Sequence, residues 1–280
     1  MRTFDLPSLA ANLLPSVIAA GAAQMRHYEQ GISVTTKADS SPVTAADRES
    51  EAILHEGLWQ AARGVPVVAE ESMALGEGPS RGSTFFLVDP LDGTGDFVDR
   101  RAEFSINIGL VVGVEPVFGM IYAPALGLLF VTLDTGHAVE TRLPVDTRAP
   151  TLASCALQKL STRHPQLDAL TVLEGRSRRR PETDAFLAGY AIDRVRQAGS
   201  SLKFCYIARG DADLYVRVGP TKEWDTAAGQ AILEAAGGVV TTLGGERLVC
   251  GNAEAEYLNP SFVAWGRTPI LPRVAKKSSA

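Results

Sequence analysis

Apolar residues recur at helical spacing twice near the start of the chain. The first stripe runs through residues 9–23, with Val17, Ile18, Ala22 and Met25 in phase; the second opens near Thr44 and passes Ile53 and Leu58 to about Ala62. Residues 32–41 between these predicted helices are extended and polar. Short apolar runs follow. Residues 65–69 and 85–88 read as strands, and 105–114, 117–122 and 128–133, punctuated by Gly and Pro, read as a meander. Residues 143–152, with Pro144, Asp146 and Pro150, read as a linker. Beyond it, strands at 170–173 and 213–218 alternate with helices at 181–188, 201–208 and 224–236. The pattern predicts an α/β (mixed α+β) protein with a largely antiparallel first half, 1–145, a smaller α/β half, 146–270, and a frayed tail, 271–280.

Composition narrows the function. With 280 residues and 45% apolar content, the chain buries one large core or two modest ones. A net charge of −5, from 27 Lys+Arg against 32 Asp+Glu, argues against nucleic acid as a partner but not against a local basic pocket. Three scattered cysteines fit neither a disulfide framework nor a CxxC metal site and point to a cytoplasmic, reduced setting. Residues 9–23 are short enough for a signal h-region, but Asp5, the single Arg2 and Pro15 favour the first helix of a folded domain. No apolar run reads as a bilayer span, so no stable membrane insertion is expected.

The candidate chemistry is acidic. Asp89-Pro90-Leu91-Asp92-Gly93-Thr94 sets two carboxylates three residues apart, where an apolar strand ends and a glycine turn begins. Bent there, the chain brings Asp92 back beside Asp89 and offers the Leu91 carbonyl as a third oxygen, a set suited to a hard cation such as Mg²⁺. A short helix starting at Gly93 and Thr94 would present N–H groups to a phosphate. Glu70-Glu71 likewise closes an apolar run, with one carboxylate expected on the metals and the other turned aside. Asp225 opens a small-residue helix as either cap or ligand. Thr44 with Asp47 fits an N-cap followed by an acid; alternatively Asp47, bonded to the Thr94 hydroxyl, holds and deprotonates a water molecule. Ser200, Ser201, Lys203 and Arg217 form a basic set that reads either as a capped helix with solvated charges or as a second anion site.

Together these residues resemble the lithium-sensitive, metal-dependent phosphatase superfamily of inositol monophosphatases, fructose bisphosphatases and bisphosphate nucleotidases. The signature is carried by Glu70-Glu71, by Asp89 to Thr94, and by Trp224-Asp225 with Ala227-Ala228-Gly229. Finer features are similar to the CysQ-type 3′(2′),5′-bisphosphate nucleotidases: Lys-x-Asp-x-Ser-Pro-Val-Thr-x-Ala-Asp from Lys37 to Asp47, Gly-Ser-Ser-Leu-Lys-Phe-Cys from Gly199 to Cys205, and Leu214 to Arg217 leading into Gly219-Pro220-Thr221. The resemblance implies a layered αβαβα sandwich and two or three Mg²⁺ ions, replaceable by Mn²⁺, on Glu70, Asp89, Leu91, Asp92 and Asp225. It implies catalysis by Asp47, Thr94 and Glu70, and substrate contacts from Gly93, Thr94, Ser200, Ser201, Lys203 and Arg217. The implied substrate is a small phosphorylated molecule: adenosine 3′,5′-bisphosphate or its phosphosulfate relative, in sulfate assimilation. An inositol or sugar phosphate is the alternative, and a nucleotide-binding sensor without turnover the non-enzymatic one. Two departures stand out. Gly95-Asp96 replaces a common Lys-Glu, and Gly175-Arg176-Ser177-Arg178 replaces a common Ser-Arg-Ser-His.

Overall fold

The computed structural model describes residues 4–31, 34–36, 42–76, 82–176 and 179–270. Lys37, Asp39, Ser41, Ser177, Arg178 and the tail 271–280 lie outside them. Helix α1 (Leu6–Gln30) opens on Asp5, whose carboxylate accepts the Ser8 N–H at 3.3 Å. An antiparallel pair, β1 (Val34–Thr36) and β2 (Pro42–Thr44), delivers Thr44 as the N-cap of α2 (Ala45–Ala61). β3 (Val67–Ala69) runs straight into α3 (Glu70–Ala74), and β4 (Thr84–Asp92) into α4 (Thr94–Val98). β5 (Ser105–Val112), β6 (Glu115–Ala123), β7 (Leu128–Asp134) and β8 (His137–Arg142) form the meander, edged by β9 (Gln158–Lys159). The second half holds β10 (Leu170–Glu174), α5 (Pro181–Leu187), β11 (Ile192–Gln197), α6 (Leu202–Ala208), β12 (Leu214–Arg217), α7 (Ala227–Ala235), β13 (Val239–Thr242) and β14 (Phe262–Trp265).

Two sheets result, β3-β4-β5-β6-β7-β8-β9 and β11-β10-β12-β14-β13. Strand alternation fixes what lies on each face. Phe118, Met120 and Tyr122 of β6 pack with Leu13, Val17, Leu54 and Leu58 of α1 and α2, whereas Ile121 and Ala123 face Leu202, Phe204, Ile232 and Leu233 of α6 and α7. In the smaller sheet Leu173 and Tyr215 meet those same helices, and Val172, Leu214 and Val216 turn outward to Leu187 of α5. The five layers are therefore helix, sheet, helix, sheet, helix, as expected.

One contact between layers is nearly backbone on backbone. A Cβ on Gly119 of β6 would stand 2.1 Å from the Ala228 carbonyl oxygen, and one on Gly109 of β5 2.8 Å from the Ala227 Cβ. Only glycines let the start of α7 sit this close to the larger sheet. Asp225 lies two residues before that helix.

Several elements differ from the sequence reading. β4 continues through Pro90 to Asp92, its pairing with β5 interrupted between Asp89 and Asp92, so the acidic motif is a distorted strand rather than a turn beyond one. Glu70 follows directly on β3, as expected, but with Glu71 it opens a helix. The helix expected over 224–236 is broken at Thr226 into a 3-10 turn, Glu223–Asp225, followed by α7. The larger sheet also extends past the expected linker to β9. Helix α1 is long and apolar enough to cross a membrane, which the sequence reading did not credit; half of its most apolar window is buried, and it packs on α2 and the sheet. Cys155, Cys205 and Cys250 form no disulfide.

Candidate active site

The β4 distortion places the first carboxylates. Asp89, buried, accepts the Leu91 N–H at 2.9 Å, a local bond that folds the strand end back on itself. Gly93, at φ 87°, turns the chain into α4; a side chain there would be strained and would press on Ser200 and the Glu103 carbonyl. Asp92 reaches across to the second half, where its Oδ2 accepts from Ser200 Oγ at 2.7 Å and from the Ser201 N–H at 2.5 Å. Asp225 accepts the Lys222 N–H at 2.9 Å, so its reading as a cap of α7 is replaced by one as the end of a separate turn.

Glu70, Asp89, Asp92 and Asp225 act on one another electrostatically. Burial, then repulsion from Glu70, Asp92 and Asp225, pushes the Asp89 carboxyl well above its usual range. Burial, then Asp92 and Glu70, does the same to Asp225. Among the described residues no three His, Cys, Asp or Glu side chains already converge on one point as a closed metal cage. The donor set nonetheless fits a hard divalent cation: it is all oxygen, partly desolvated and mutually repelling, and a cation supplies the charge that relieves the repulsion.

Asp47 caps α2 with one oxygen and faces Thr94 with the other. Its Oδ2 accepts from the Thr44 N–H at 2.8 Å and the Thr44 hydroxyl at 2.6 Å, completing the capping box of α2, while Oδ1 stands 3.3 Å from the Thr94 hydroxyl. That hydroxyl is also 3.1 Å from the Leu91 carbonyl, and its one proton serves one acceptor at a time.

A cavity continues from Asp92 and Asp225 between Ser200, Ser201, Lys203 and Arg217. The Lys203 ammonium is buried, donates to the carbonyls of Ser200 at 2.5 Å and Ala198 at 3.3 Å, and sits 5.1 Å above the Tyr215 ring. It is not the solvated lysine of the alternative reading. Desolvation pushes it down to about 8, with Arg217 adding to the fall and Asp92 opposing it. Ser200 adopts φ 52°, a strained value for a non-glycine residue, to aim its hydroxyl at Asp92. The unusual Asp96 is held by Arg101 at 2.9 Å and Arg176 at 3.3 Å, and Arg176 also pairs with Glu103. Its negative charge is thus compensated locally.

Sequence reasoning missed the supporting residues. Glu51 accepts the N–H groups of Glu71 and Ser72, each at 2.8 Å, and fixes the start of α3. Its signal was present: it lies one helical turn after Asp47 on the same face. Ser105 and Asn107, alternate buried residues on β5, hold Ser200, Ser201 and Asp92 through hydrogen bonds of 2.5–3.2 Å. A polar pair at period two inside an apolar strand was the available clue. Gln24 of α1 donates to the Pro90 carbonyl at 2.6 Å, and nothing in its local sequence marks it.

A five-layer sandwich carrying a partly buried carboxylate cluster, a threonine–aspartate pair and an adjoining cavity lined by Lys203 and Arg217 is the architecture of a metal-dependent phosphatase. The chain belongs to the inositol monophosphatase family, whose model matches residues 6–274. Members of this family are metal-dependent phosphatases generally served by Mg²⁺, and the chain is a hydrolase of that kind. It is 36% identical over 245 residues to the 3′(2′),5′-bisphosphate nucleotidase CysQ of Shigella flexneri, covering 87% of this chain and 94% of that one. The CysQ of Salmonella typhimurium is 37% identical over the same lengths. Among solved structures, CysQ from Bacteroides thetaiotaomicron superposes with a TM-score of 0.75 at 30% identity, covering 93% of this chain and 97% of that one. The Thermotoga maritima IMPase, at 23% identity and a TM-score of 0.70 over 90% of each chain, shares the fold.

Proposed function

We propose that the chain is a Mg²⁺-dependent 3′(2′),5′-bisphosphate nucleotidase that releases the 3′-phosphate of adenosine 3′,5′-bisphosphate to give AMP, acts likewise on the phosphosulfate relative, and serves sulfate assimilation. The observation that carries this reading is the direct junction between the carboxylate cluster and a cavity walled by Lys203 and Arg217. A monophosphatase needs only the first; a second anionic group on the substrate needs the second. The likeness to the CysQ relatives points the same way.

Glu70, Asp89, Asp92, Asp225 and the Leu91 carbonyl would hold Mg²⁺, two or three ions, with Mn²⁺ able to replace it. When bound, the ions lower the pKa of water and stabilise charge on the phosphoryl oxygens. The rest falls to the chain. The Gly93 and Thr94 N–H groups bind the phosphate being removed and orient it for in-line attack. The Thr94 hydroxyl holds the attacking water and relays its proton to Asp47, whose position is fixed by α2. Ser200 and Ser201 keep Asp92 in register, and Lys203 with Arg217 pairs with the phosphate that is retained.

Phosphate release from adenosine 3′,5′-bisphosphate, inositol 1-phosphate and fructose 1,6-bisphosphate tests the reading, with the first expected to give the highest kcat/KM. Arg217→Ala should lower that value by about one to two orders of magnitude, roughly 1.5–3 kcal/mol, and shift selectivity toward simple monoesters. Equal losses on all three substrates would make Arg217 a general structural residue and remove the nucleotide assignment.

A further inference from the structure

The reaction cavity does not end at Arg217. Tyr215 and Arg217 are a shared wall, and on its other side a second open cavity is bounded by Glu174, Arg179, Arg180 and Thr183. The acid in this lining is already neutralised, because Arg179 pairs with Glu174 and also with Asp184. Arg180 is different: among the described residues its guanidinium has no hydrogen-bond or ion-pair partner. It lies over Gly219, where an added Cβ would stand 2.7 Å from its Cζ and 3.0 Å from its Nε. That glycine, at φ 117°, keeps the backbone bare where the guanidinium rests, two residues beyond Arg217.

Arg217 also has donors to spare. It gives one hydrogen bond, Nη2 to the Pro220 carbonyl at 3.2 Å, and its Nε is buried without a partner. Two guanidinium groups bordering one cavity, with its only lining carboxylate engaged by a third, repel one another and keep donors without an acceptor. A tetrahedral oxyanion satisfies both defects, because each guanidinium fork matches two of its oxygens.

We propose that the remote phosphate or sulfate group of the substrate, held by Lys203 and Arg217, extends past Arg217 into this second cavity, with Arg180 as a specificity-determining residue working beside Arg217. The proposal rests on the nucleotidase reading above and adds to it a residue that the metal chemistry does not use. It also makes room for a remote group larger than one phosphate, since the cavity lies beyond Arg217 rather than in front of it.

The test compares adenosine 3′,5′-bisphosphate with adenosine 3′-monophosphate, which differ only in the remote group, on the wild type, Arg180→Ala and Arg180→Lys. The expected result is a fall of tenfold or more in the bisphosphate-to-monophosphate ratio of kcat/KM for Arg180→Ala, carried by KM, with partial recovery in Arg180→Lys. An unmoved ratio would overturn the proposal. Binding of inorganic sulfate, followed by calorimetry, separates the two sources of such an anion: sulfate binding that depends on Arg180 while the ratio stays unmoved would assign the cavity to a free anion and overturn the substrate assignment. A wild type that cleaves neither ester would instead refute the nucleotidase reading. In that event equilibrium binding decides the cavity, a tenfold loss in Arg180→Ala confined to the bisphosphate supporting it and equal affinities overturning it.

Discussion

Replacing Lys203 by methionine preserves most of the side-chain volume but removes an ammonium from a place where burial pushes its pKa from 10.5 down to about 8. Keeping that charge at pH 7 costs roughly 3 kcal/mol, at about 1.4 kcal/mol per decade of proton affinity. The substitution also forfeits the hydrogen bonds to the Ala198 and Ser200 carbonyls, about 2 kcal/mol together. The variant should therefore be more stable than the wild type by about 1 kcal/mol at pH 7. The sign changes with pH. Above pH 8 the folded wild type loses this proton, whereas the unfolded chain keeps it to about 10.4, so wild-type stability rises through that interval and the variant, lacking the group, does not follow. Urea unfolding in EDTA at pH 7 and pH 9.5 measures both differences, and the gap should move by roughly 2 kcal/mol against the variant at the higher pH. Hydrolysis of adenosine 3′,5′-bisphosphate should meanwhile fall by about one to two orders of magnitude. A stability difference that is independent of pH, or a variant already weaker at pH 7, would show that Lys203 is held at little electrostatic cost and would refute the reasoning.

Asp89→Asn should raise the melting temperature of the metal-free protein, because it removes a buried charge repelled by Glu70, Asp92 and Asp225, while cutting turnover on the order of 1,000-fold. Mg²⁺ should then stabilise the wild type much more than the variant, and near-wild-type turnover at saturating Mg²⁺ would remove Asp89 from the ligand set. Lithium should inhibit at fixed Mg²⁺, since a small monovalent ion fits an all-oxygen site but brings half the charge; a titration without inhibition would place the chain outside lithium-sensitive behaviour. Glu51→Ala leaves the Glu71 and Ser72 N–H groups without their acceptor and should cost about 2–3 kcal/mol in chemical denaturation. It should also raise the Mg²⁺ concentration needed for half-maximal activity through the displaced Glu70, and an unchanged requirement would confine Glu51 to a structural role.

What was legible in the sequence follows a physical division. The grouping of acids carried by neighbouring residues, such as Asp89 and Asp92, was readable because order alone restricts what so short a segment can do. Long amphipathic elements were readable for the same reason, and α2 begins where Thr44 and Asp47 predict. β11 was not: it is an exposed edge strand whose Asp193, Arg194 and Arg196 break the apolar pattern, and its pairing with β10 is a property of the sheet. β13 and β14 are short strands that lean on each other, and β14 on β12, so no local signal outweighs the loops around them. The support of the site was hidden by distance in sequence. Asp92 and Ser200 lie 108 residues apart, and Gln24 and Pro90 lie 66 apart; such partners emerge only when the layers are stacked. Asp47 shows the opposite case: the N-cap and the contact with Thr94 are not exclusive geometries, because one carboxylate has two oxygens and makes both.

The two glycines beneath α7 act as a gauge for the carboxylates. Asp89 and Asp92 are built into the larger sheet, whereas Asp225 arrives from the far side of a sandwich layer, so their separation is set by how deeply α7 seats on β5 and β6. At Gly119 any added Cβ would meet the Ala228 carbonyl itself, which has no rotamer with which to yield. Calibration of the acidic cluster is thereby delegated to positions that carry no charge and touch no substrate. The two halves of the chain are consequently bound to vary in concert: each can drift in its loops and outer faces, but a methyl group added at this seam would detune the cluster as surely as the loss of one of its acids.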